Sequence, residues 1–217
     1  LINGSVDLIT SLGNDNCGKK CYERLTNLGL NLSVAWREKP TRKGISLIEE
    51  NGERAITVIG ERLQPVASDN LPWDQLKNYD GIFVTATDAE GFRQARKAKF
   101  LAATPRIGKN TLNISKTKMD ALIGSGLDPG EKINFNELTQ KPRIYIATEG
   151  KAGGMIYPLN KRFSSIKTSS KEIDSYGCGD CFAGGVTTAL SAKWNLEDAV
   201  NLGAFCGAEC STNYGPY

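Results

Sequence analysis

The chain of 217 residues contains no histidine, no basic stripe and no apolar run long enough to cross a membrane. A membrane-spanning helix needs about 20 consecutive, mostly apolar residues, and a secretory leader needs a charged start followed by an apolar core; neither pattern is present. The 27 Lys and Arg residues are scattered among 24 Asp and Glu residues and are not interleaved with aromatic side chains, which argues against a nucleic-acid partner. We therefore expect a cytoplasmic, globular protein without a membrane or nucleic-acid partner.

The missing histidine also limits what the six cysteines can do. Cys178 and Cys181 form a single Cys-x-x-Cys, which without histidine or a second such pair is not a zinc-binding pattern. The other four lie in i, i+4 pairs, which is typical of small thiols buried in helices. A redox role for Cys178 and Cys181 is the alternative, because a thiol at a helix N-terminus has a lowered pKa.

Extended and helical patterns alternate along the chain, as in an α/β domain with a mainly parallel sheet. No internal repeat, low-complexity tract or long linker interrupts them, so we predict one domain over residues 1–217. The predicted strands are 6–10, 81–85, 100–103, 121–123 and 143–147, with a hairpin through 155–159. The predicted helices are 17–28, 90–97 and 196–212, together with one that follows residue 179.

Two segments near the start allow alternative interpretations. Residues 13–20 fit Gly-x4-Gly-Lys but end in Lys20, where a P-loop needs the Ser or Thr hydroxyl that binds magnesium, so we do not assign a P-loop. Asn51 and Gly52 form the strongest hairpin signal of the chain, between two extended runs. Residues 33–60 are therefore predicted to form a small β lid or a simple edge hairpin.

Between Asp174 and Gly185 the residue types are better explained by a binding or catalytic role than by packing in the core. Gly177 and Gly179 flank the small Cys178, so backbone amides can approach an anion closely. The apolar residues that follow have the i, i+4, i+7, i+8 spacing of one helix face, which places this turn at the positive end of a helix, where anions bind. Asp180 is then a general base for an attacking hydroxyl. The alternative is a glycine-rich loop that merely starts a helix, with Asp180 as the N-cap.

Glycines continue into the predicted helix. Gly184 and Gly185 each cost about 1 kcal/mol relative to alanine in a helix interior. We therefore predict that a ligand or a tightly packed backbone approaches this helix closely.

The run from Asp174 to Phe182 resembles the C-terminal signature of the ribokinase-like (PfkB-type) carbohydrate kinases, Asp-Thr-x-Gly-Ala-Gly-Asp-x-Phe, with Ser for Thr and Cys for Ala. The resemblance implies that the amides of Gly177, Cys178 and Gly179 form an anion hole for the transferred phosphoryl group. It implies that Asp180 is the catalytic base. It also implies a three-layer α/β sandwich with a mainly parallel sheet and a small β lid, which in this family covers the sugar and often pairs with a second subunit.

Other segments follow the order of the same family. Residues 11–18 resemble its Gly-x-Asp-x-x-Gly turn, and residues 51–54 its Gly-Glu-Arg hairpin. The family's opening strand, its substrate-anchoring Asp and its Gly-Gly-x-x-x-Asn motif are not found here. Either the chain is a fragment or it is a truncated relative with an incomplete acceptor site.

The nucleotide site is implied by two further stretches. Residues 146–153 resemble the strand and Thr-x-Gly-x-x-Gly loop that lie beside ATP, which assigns nucleotide contacts to Thr148, Gly150 and Gly153. The last helix resembles the one whose start flanks the adenine, which places Asn201 nearby.

The metal site departs from the family pattern. Where the family has Asn-x-x-Glu, alignment by the preceding strand puts Ser125 at the Asn and Asp128 at the Glu, and Glu131 is the other carboxylate that can serve. Magnesium takes oxygen ligands and keeps several waters, so either choice is chemically acceptable. The family also holds a monovalent cation, partly on the Asp that matches Asp174, which implies a dependence on potassium.

These features predict an ATP-dependent kinase that phosphorylates a hydroxyl of a sugar or nucleoside. The alternative is a non-catalytic, nucleotide-binding regulatory relative. The acceptor itself is not specified by the residues in this chain.

Overall fold

The computed structural model describes residues 4–48, 54–168 and 170–215. The strands are β1 (Asp7–Gly13), β2 (Asn31–Arg37), β3 (Lys43–Ile48), β4 (Arg54–Ile59), β5 (Gly81–Val84), β6 (Phe100–Ala103), β7 (Ala121–Ser125), β8 (Ile144–Thr148), β9 (Gly154–Tyr157) and β10 (Lys161–Phe163). The helices are α1 (Asn16–Asn27), α2 (Ala89–Ala95), α3 (Lys109–Ser115), α4 (Cys178–Ser191) and α5 (Leu196–Cys210).

The main sheet has six strands in the order β10-β9-β8-β7-β6-β5. Strands β5 to β8 run parallel, whereas β9 and β10 are antiparallel additions at one edge. The parallel strands are almost continuously apolar, as expected where both faces of a sheet are covered. The prediction of a mainly parallel α/β sheet is confirmed.

Alternate residues of the central strands point into two separate cores. Leu101, Ala103 and Leu122 pack with Phe92 of α2 and Leu112 of α3 on one face. On the other face, the strand residues pack against α4 and α5; this second core contains Ala102, Ala121, Ile123, Ile146, Ile156, Phe182, Ala183, Val186, Val200 and Ala204. The result is the predicted three-layer sandwich, and the helix face predicted after residue 179 is the buried face of α4.

Helices α4 and α5 approach closely through glycines. A Cβ placed on Gly185 would lie 3.0 Å from the Cα of Gly203, and one on Gly203 would lie 2.5 Å from a methyl of Val186. The close backbone approach that the helical glycines predicted is therefore found at Gly185. Gly184 has open space instead.

The first strands form a separate two-stranded sheet, which corrects the sequence-based lid. Residues 33–60 were predicted to form one lid, but β2 is a parallel partner of β1 in full register from Asp7↔Asn31 to Gly13↔Arg37. Only β3 and β4 form the antiparallel hairpin. The turn expected at Asn51 and Gly52, with the Gly-Glu-Arg resemblance at 51–54, lies largely outside the described residues.

The turn between β1 and α1 is built around Asp15. This carboxylate caps α1 by accepting the Gly18 amide at 2.7 Å, and it also accepts the amide and the hydroxyl of Thr41 at 2.9 and 2.7 Å. These hydrogen bonds lower the pKa of Asp15 to about 2. Because the Gly18 amide donates its hydrogen bond to Asp15, it is not directed at a phosphate as in a P-loop.

None of the described helices is both long and apolar enough to cross a membrane.

Candidate active site

The glycine-rich turn leads directly into α4. Gly177 has φ 85° and stands at the N-cap position, and the helix begins at Cys178. Within the described residues no side chain caps this helix end, and a Cβ on Gly179 would meet nothing within 4 Å. An anion can therefore approach the turn at 177–179, which lies at the positive end of a 14-residue helix. The Cys178 amide already makes a long hydrogen bond of 3.4 Å to the Ser175 carbonyl.

Asp180 lies in the first turn of α4 and not at the N-cap, so the interpretation of Asp180 as a simple N-cap is wrong. Its side chain lines a cleft of about 370 Å³ together with Arg62, Phe83, Thr85, Thr104 and Arg106. Thr85 and Thr104 directly follow β5 and β6, so the cleft lies at the carboxyl ends of the parallel strands, where α/β proteins bind ligands.

The electrostatics of the cleft suit a base. Partial burial raises the pKa of Asp180 although the side chain remains accessible to solvent. The positive charge of Arg106 opposes this rise and the negative charge of Glu131 adds to it. The ionised form of a carboxylate with a raised pKa is a stronger proton acceptor than an ordinary aspartate.

Arg106 links Asp180 to the segment predicted to organise magnesium. It follows β6 in a short 3-10 turn (Pro105–Ile107), and its Nε donates to Glu131 while Nη2 lies 3.3 Å from Asp128. The hydrogen bond to Glu131 raises the pKa of Arg106, and the nearby Asp128 and Asp180 charges add to this.

Glu131 is buried, with its side chain only 6% exposed. Its second carboxylate oxygen accepts the Ser125 amide at 2.8 Å. Gly124 makes this placement possible, because a Cβ there would lie 2.7 Å from the same oxygen. Asp128 caps the turn that carries Glu131 by accepting the Gly130 amide at 2.8 Å.

The predicted nucleotide loop begins where β8 ends. Thr148 pairs in register with Ser125 of β7, so it borders the Glu131 segment. Gly150 and Gly153 both have positive φ, 58° and 85°, and the turn closes through a hydrogen bond from the Glu149 amide to the Gly153 carbonyl at 2.7 Å.

Asn201 lies apart from these groups. It lines a second cleft of about 530 Å³, formed by the β9–β10 hairpin, the segment 163–166 and the start of α5. This cleft borders the nucleotide loop, since Ser165 donates to the carbonyl of Lys151 at 2.8 Å. The two clefts share no lining residue.

Asp174 is buried below the glycine-rich turn. Its two carboxylate oxygens accept the amides of Tyr176 at 2.8 Å and Gly215 at 3.1 Å. It therefore joins the start of the turn to the segment after α5. It is not brought together with Asp128 and Glu131, and the described residues contain no group of three or more Cys, Asp or Glu side chains placed to hold a metal ion.

The cysteines do not support the redox alternative. Burial raises the pKa of Cys181 to about 12, and its hydrogen bond with Cys210 adds to the rise, which is the reverse of a reactive thiol at a helix end. The expectation of buried thiols in the two i, i+4 pairs is met fully only at Cys210, because Cys21 is exposed and Cys17 and Cys206 are half-buried.

We expect Cys181 to resist alkylation in the native protein. With a pKa near 12, its thiolate fraction at pH 8 is far smaller than that of an ordinary cysteine. Iodoacetamide at pH 8, followed by peptide mass mapping, should label the exposed Cys21 at least 10-fold faster than Cys181. Equal labelling rates in the folded protein would contradict the raised pKa of Cys181.

Sequence reasoning missed Arg62 and Arg106 as site residues. Both belong to segments remote from the glycine-rich turn, and only the fold brings them to Asp180. The available signal was positional: Arg106 comes directly after a buried strand, and such positions meet at the carboxyl edge of a parallel sheet.

Comparison with known proteins agrees with this architecture. The family model described as pfkB family carbohydrate kinase matches residues 1–217. An adenosine kinase of Schizosaccharomyces pombe is 33% identical over 92 residues, which are 41% of this chain and only 26% of that protein. The aligned stretch thus spans about a quarter of that relative.

Two solved structures show the same fold at low identity. A ribokinase from Thermotoga maritima superposes with a TM-score of 0.71 at 21% identity, covering 96% of this chain and 75% of its own. A microbiome-derived acarbose kinase gives a TM-score of 0.79 at 15% identity, covering 98% and 76%. With the family match spanning the whole sequence, the chain belongs to the pfkB family of carbohydrate kinases.

Proposed function

We propose that this protein transfers the γ-phosphoryl group of ATP to a hydroxyl of a sugar, nucleoside or related small molecule, as a single kinase domain with a lid formed by β3 and β4. The observation that carries the proposal is the position of Asp180, in a cleft at the carboxyl edge of the sheet and in the first turn of a helix whose start no side chain of the described residues caps. A base beside an anion site is what phosphoryl transfer to an alcohol requires.

The roles follow from the loose transition state of phosphoryl transfer, in which the protein mainly positions groups and stabilises charge. The amides of Gly177, Cys178 and Gly179 bind the phosphoryl oxygens in this proposal, because they lie at the positive end of α4; the Cys178 amide would exchange its 3.4 Å hydrogen bond to the Ser175 carbonyl for this contact. Asp180 accepts the proton of the attacking hydroxyl. Its raised pKa favours that transfer.

Thr148, Gly150 and Gly153 form the nucleotide side of the site in this proposal. They occupy the turn after β8, at the same sheet edge as the cleft. Asn201 lines the 530 Å³ cleft beside that turn, and this volume suits an adenine ring.

The carboxylates near Ser125 fit magnesium held through water. Both oxygens of Glu131 already accept protein hydrogen bonds, whereas Asp128 is more accessible, with 42% of its side chain exposed. A hard cation that keeps several waters needs one or two carboxylates and the substrate phosphates. Magnesium, when bound, neutralises the charge of the nucleotide phosphates.

Two finer proposals concern potassium and assembly. Asp174 lies beside the glycine-rich turn, and we propose that a monovalent cation bound there supports the anion hole.

The lid hairpin exposes apolar side chains, including Ile45, Leu47, Ile56 and Val58, so we also propose that two copies pair through it. Large exposed apolar patches mark interaction sites.

The function is tested by ATP consumption with a panel of sugars and nucleosides, in potassium buffer and in buffer free of potassium and sodium. We expect turnover with at least one acceptor and a loss of rate without the monovalent cation. Tight ATP binding with no turnover on any acceptor would contradict the kinase. An equal rate in both buffers would contradict only the potassium site.

A further inference from the structure

We propose that Arg62 binds an anionic group of the acceptor, so that the substrate of this kinase carries a phosphate monoester or a carboxylate besides the hydroxyl it offers. The inference rests on the proposed function for the identity of the acceptor. It rests on the structure for the anion site, which lies in the cleft next to Asp180.

Arg62 is held in place by backbone carbonyls. It follows β4 by three residues, and its Nη1 and Nη2 donate to the carbonyl of Arg106 at 3.1 Å and of Thr85 at 3.0 Å. These two carbonyls belong to the segments that follow β6 and β5. The guanidinium is thereby held at the carboxyl ends of β5 and β6, where it lines the cleft.

The charge of Arg62 is not balanced in the way that the charge of Arg106 is. Arg106 pairs with Glu131 and Asp128. Over residues 4–48, 54–168 and 170–215, the structure shows no carboxylate paired with Arg62. Burial lowers the pKa of Arg62, and the neighbouring positive charges of Arg42 and Arg106 lower it further.

An arginine stays protonated even under these conditions, so the cleft contains an exposed cation that no carboxylate of the described residues pairs with. Together with the neighbouring charges of Arg42 and Arg106 it creates a positive potential that attracts an anion. The planar guanidinium fork matches the oxygens of carboxylates and phosphates. The fixed guanidinium in this positive cleft therefore suits an anionic oxygen group supplied by a ligand.

The position of the cleft decides which ligand supplies that group. Asp180 lines the cleft, but Gly177, Cys178 and Gly179 do not. Asp180 is therefore the residue of this turn that faces the space next to Arg62, whereas in our proposal the transferred phosphoryl group binds at the helix end. That space lies on the acceptor side of the base.

The cleft suits a small polar acceptor. Its volume of about 370 Å³ lies in the range of small-molecule sites. Phe83 offers an apolar surface, and Thr85 and Thr104 offer hydroxyls. A phosphorylated sugar and a sugar acid both fit this chemistry, and the kinetic test below separates them.

The first test measures anion binding and does not depend on turnover. Inorganic phosphate is titrated by calorimetry into the full-length protein saturated with ADP and magnesium, in wild type, Arg62→Gln and Arg143→Gln. Arg143 is a suitable control because its side chain is 82% exposed and it precedes β8, at the amino end of the strand. We expect phosphate to bind wild type and Arg143→Gln equally and Arg62→Gln at least 10-fold more weakly.

The same phosphate affinity in Arg62→Gln and wild type, or no phosphate binding to wild type, would overturn the proposal. A selective loss in Arg62→Gln supports the anion site even if no acceptor is phosphorylated. In that case the proposed kinase function would be wrong, while the anion site at Arg62 would stand.

The second test compares neutral sugars, sugar phosphates and sugar acids as acceptors. We expect kcat/KM of wild type to favour one anionic class. Arg62→Gln should lose about 100-fold for that class through KM, with Arg62→Lys between the two. A uniform loss of kcat for all acceptors would instead place Arg62 on the transferred phosphoryl group, and a wild-type preference for neutral acceptors would equally overturn the proposal.

Discussion

Replacing Asp180 by Asn should lower kcat by about 10² to 10⁴-fold while the affinity for ATP changes less than about threefold. Asparagine keeps the size and the hydrogen-bonding reach of the side chain but cannot accept the hydroxyl proton. The first-turn amides of α4, which bind the phosphoryl oxygens in our proposal, are unchanged. Steady-state kinetics and titration calorimetry with ATP measure the two quantities separately.

A control variant at the same helix makes this result specific. Thr188→Ala removes an exposed hydroxyl that donates to the Gly184 carbonyl within α4, far along the helix from the turn, and should keep wild-type kcat. If Asp180→Asn retained more than a tenth of the wild-type kcat, Asp180 would not be the base.

The pH dependence follows from the same carboxylate. Burial raises the pKa of Asp180, so the ionised base is lost at a higher pH than for an ordinary aspartate. The acid limb of kcat/KM should therefore lie above the usual aspartate value of about 3.9. The sign for stability is opposite to that of a paired carboxylate: protonation of Asp180 favours the folded state at low pH, and this contribution is lost as the pH rises through its folded pKa.

Replacing Arg106 by Met should lower the free energy of unfolding by about 1 to 3 kcal/mol. Glu131 is 6% exposed at its side chain and would keep only the Ser125 amide as a partner. The Arg106 side chain is 60% exposed, so the pair is not fully buried, but removing the guanidinium leaves the buried Glu131 carboxylate without its cationic partner. Urea unfolding monitored by circular dichroism gives the change.

The double variant Arg106→Met, Glu131→Gln provides the control for that prediction. A glutamine can still accept the Ser125 amide and needs no cation, so the double variant should recover most of the lost stability. The single variant should also shift the acid limb of kcat/KM to higher pH, because Arg106 lowers the pKa of Asp180. Equal destabilisation in the single and double variants would show that Arg106 stabilises the fold by packing and not by its charge.

The glycine-rich turn and its helix could be predicted from the sequence because the signals there are local. A glycine with φ 85°, a helical apolar period and an acidic residue in the first turn all lie within a dozen positions. The central strands were found for the same reason, since buried parallel strands are short apolar runs. Their predicted bounds differ from the observed ones by a few residues at most.

The rest depended on contacts between distant segments. Strand β2 was assigned to the lid because its pairing with β1 is parallel and crosses α1, which no local pattern reveals. Helix α3 is short and polar, and it buries only Leu112 and Ser115. Its apolar residues are therefore too few to show the spacing that predicts a helix. Arg62 and Arg106 carry the charge of the cleft, but nothing in their own neighbourhoods marks them as site residues.

The two hydrogen bonds of Asp174 have a practical consequence for protein engineering. One oxygen holds the Tyr176 amide at the start of the glycine-rich turn, and the other holds the Gly215 amide beyond α5. The segment after α5 is thus tied to the glycine-rich turn at the start of α4, which we propose binds phosphate. Inserted loops, affinity handles or fluorescent fusions placed between residues 211 and 215 should therefore disturb that turn.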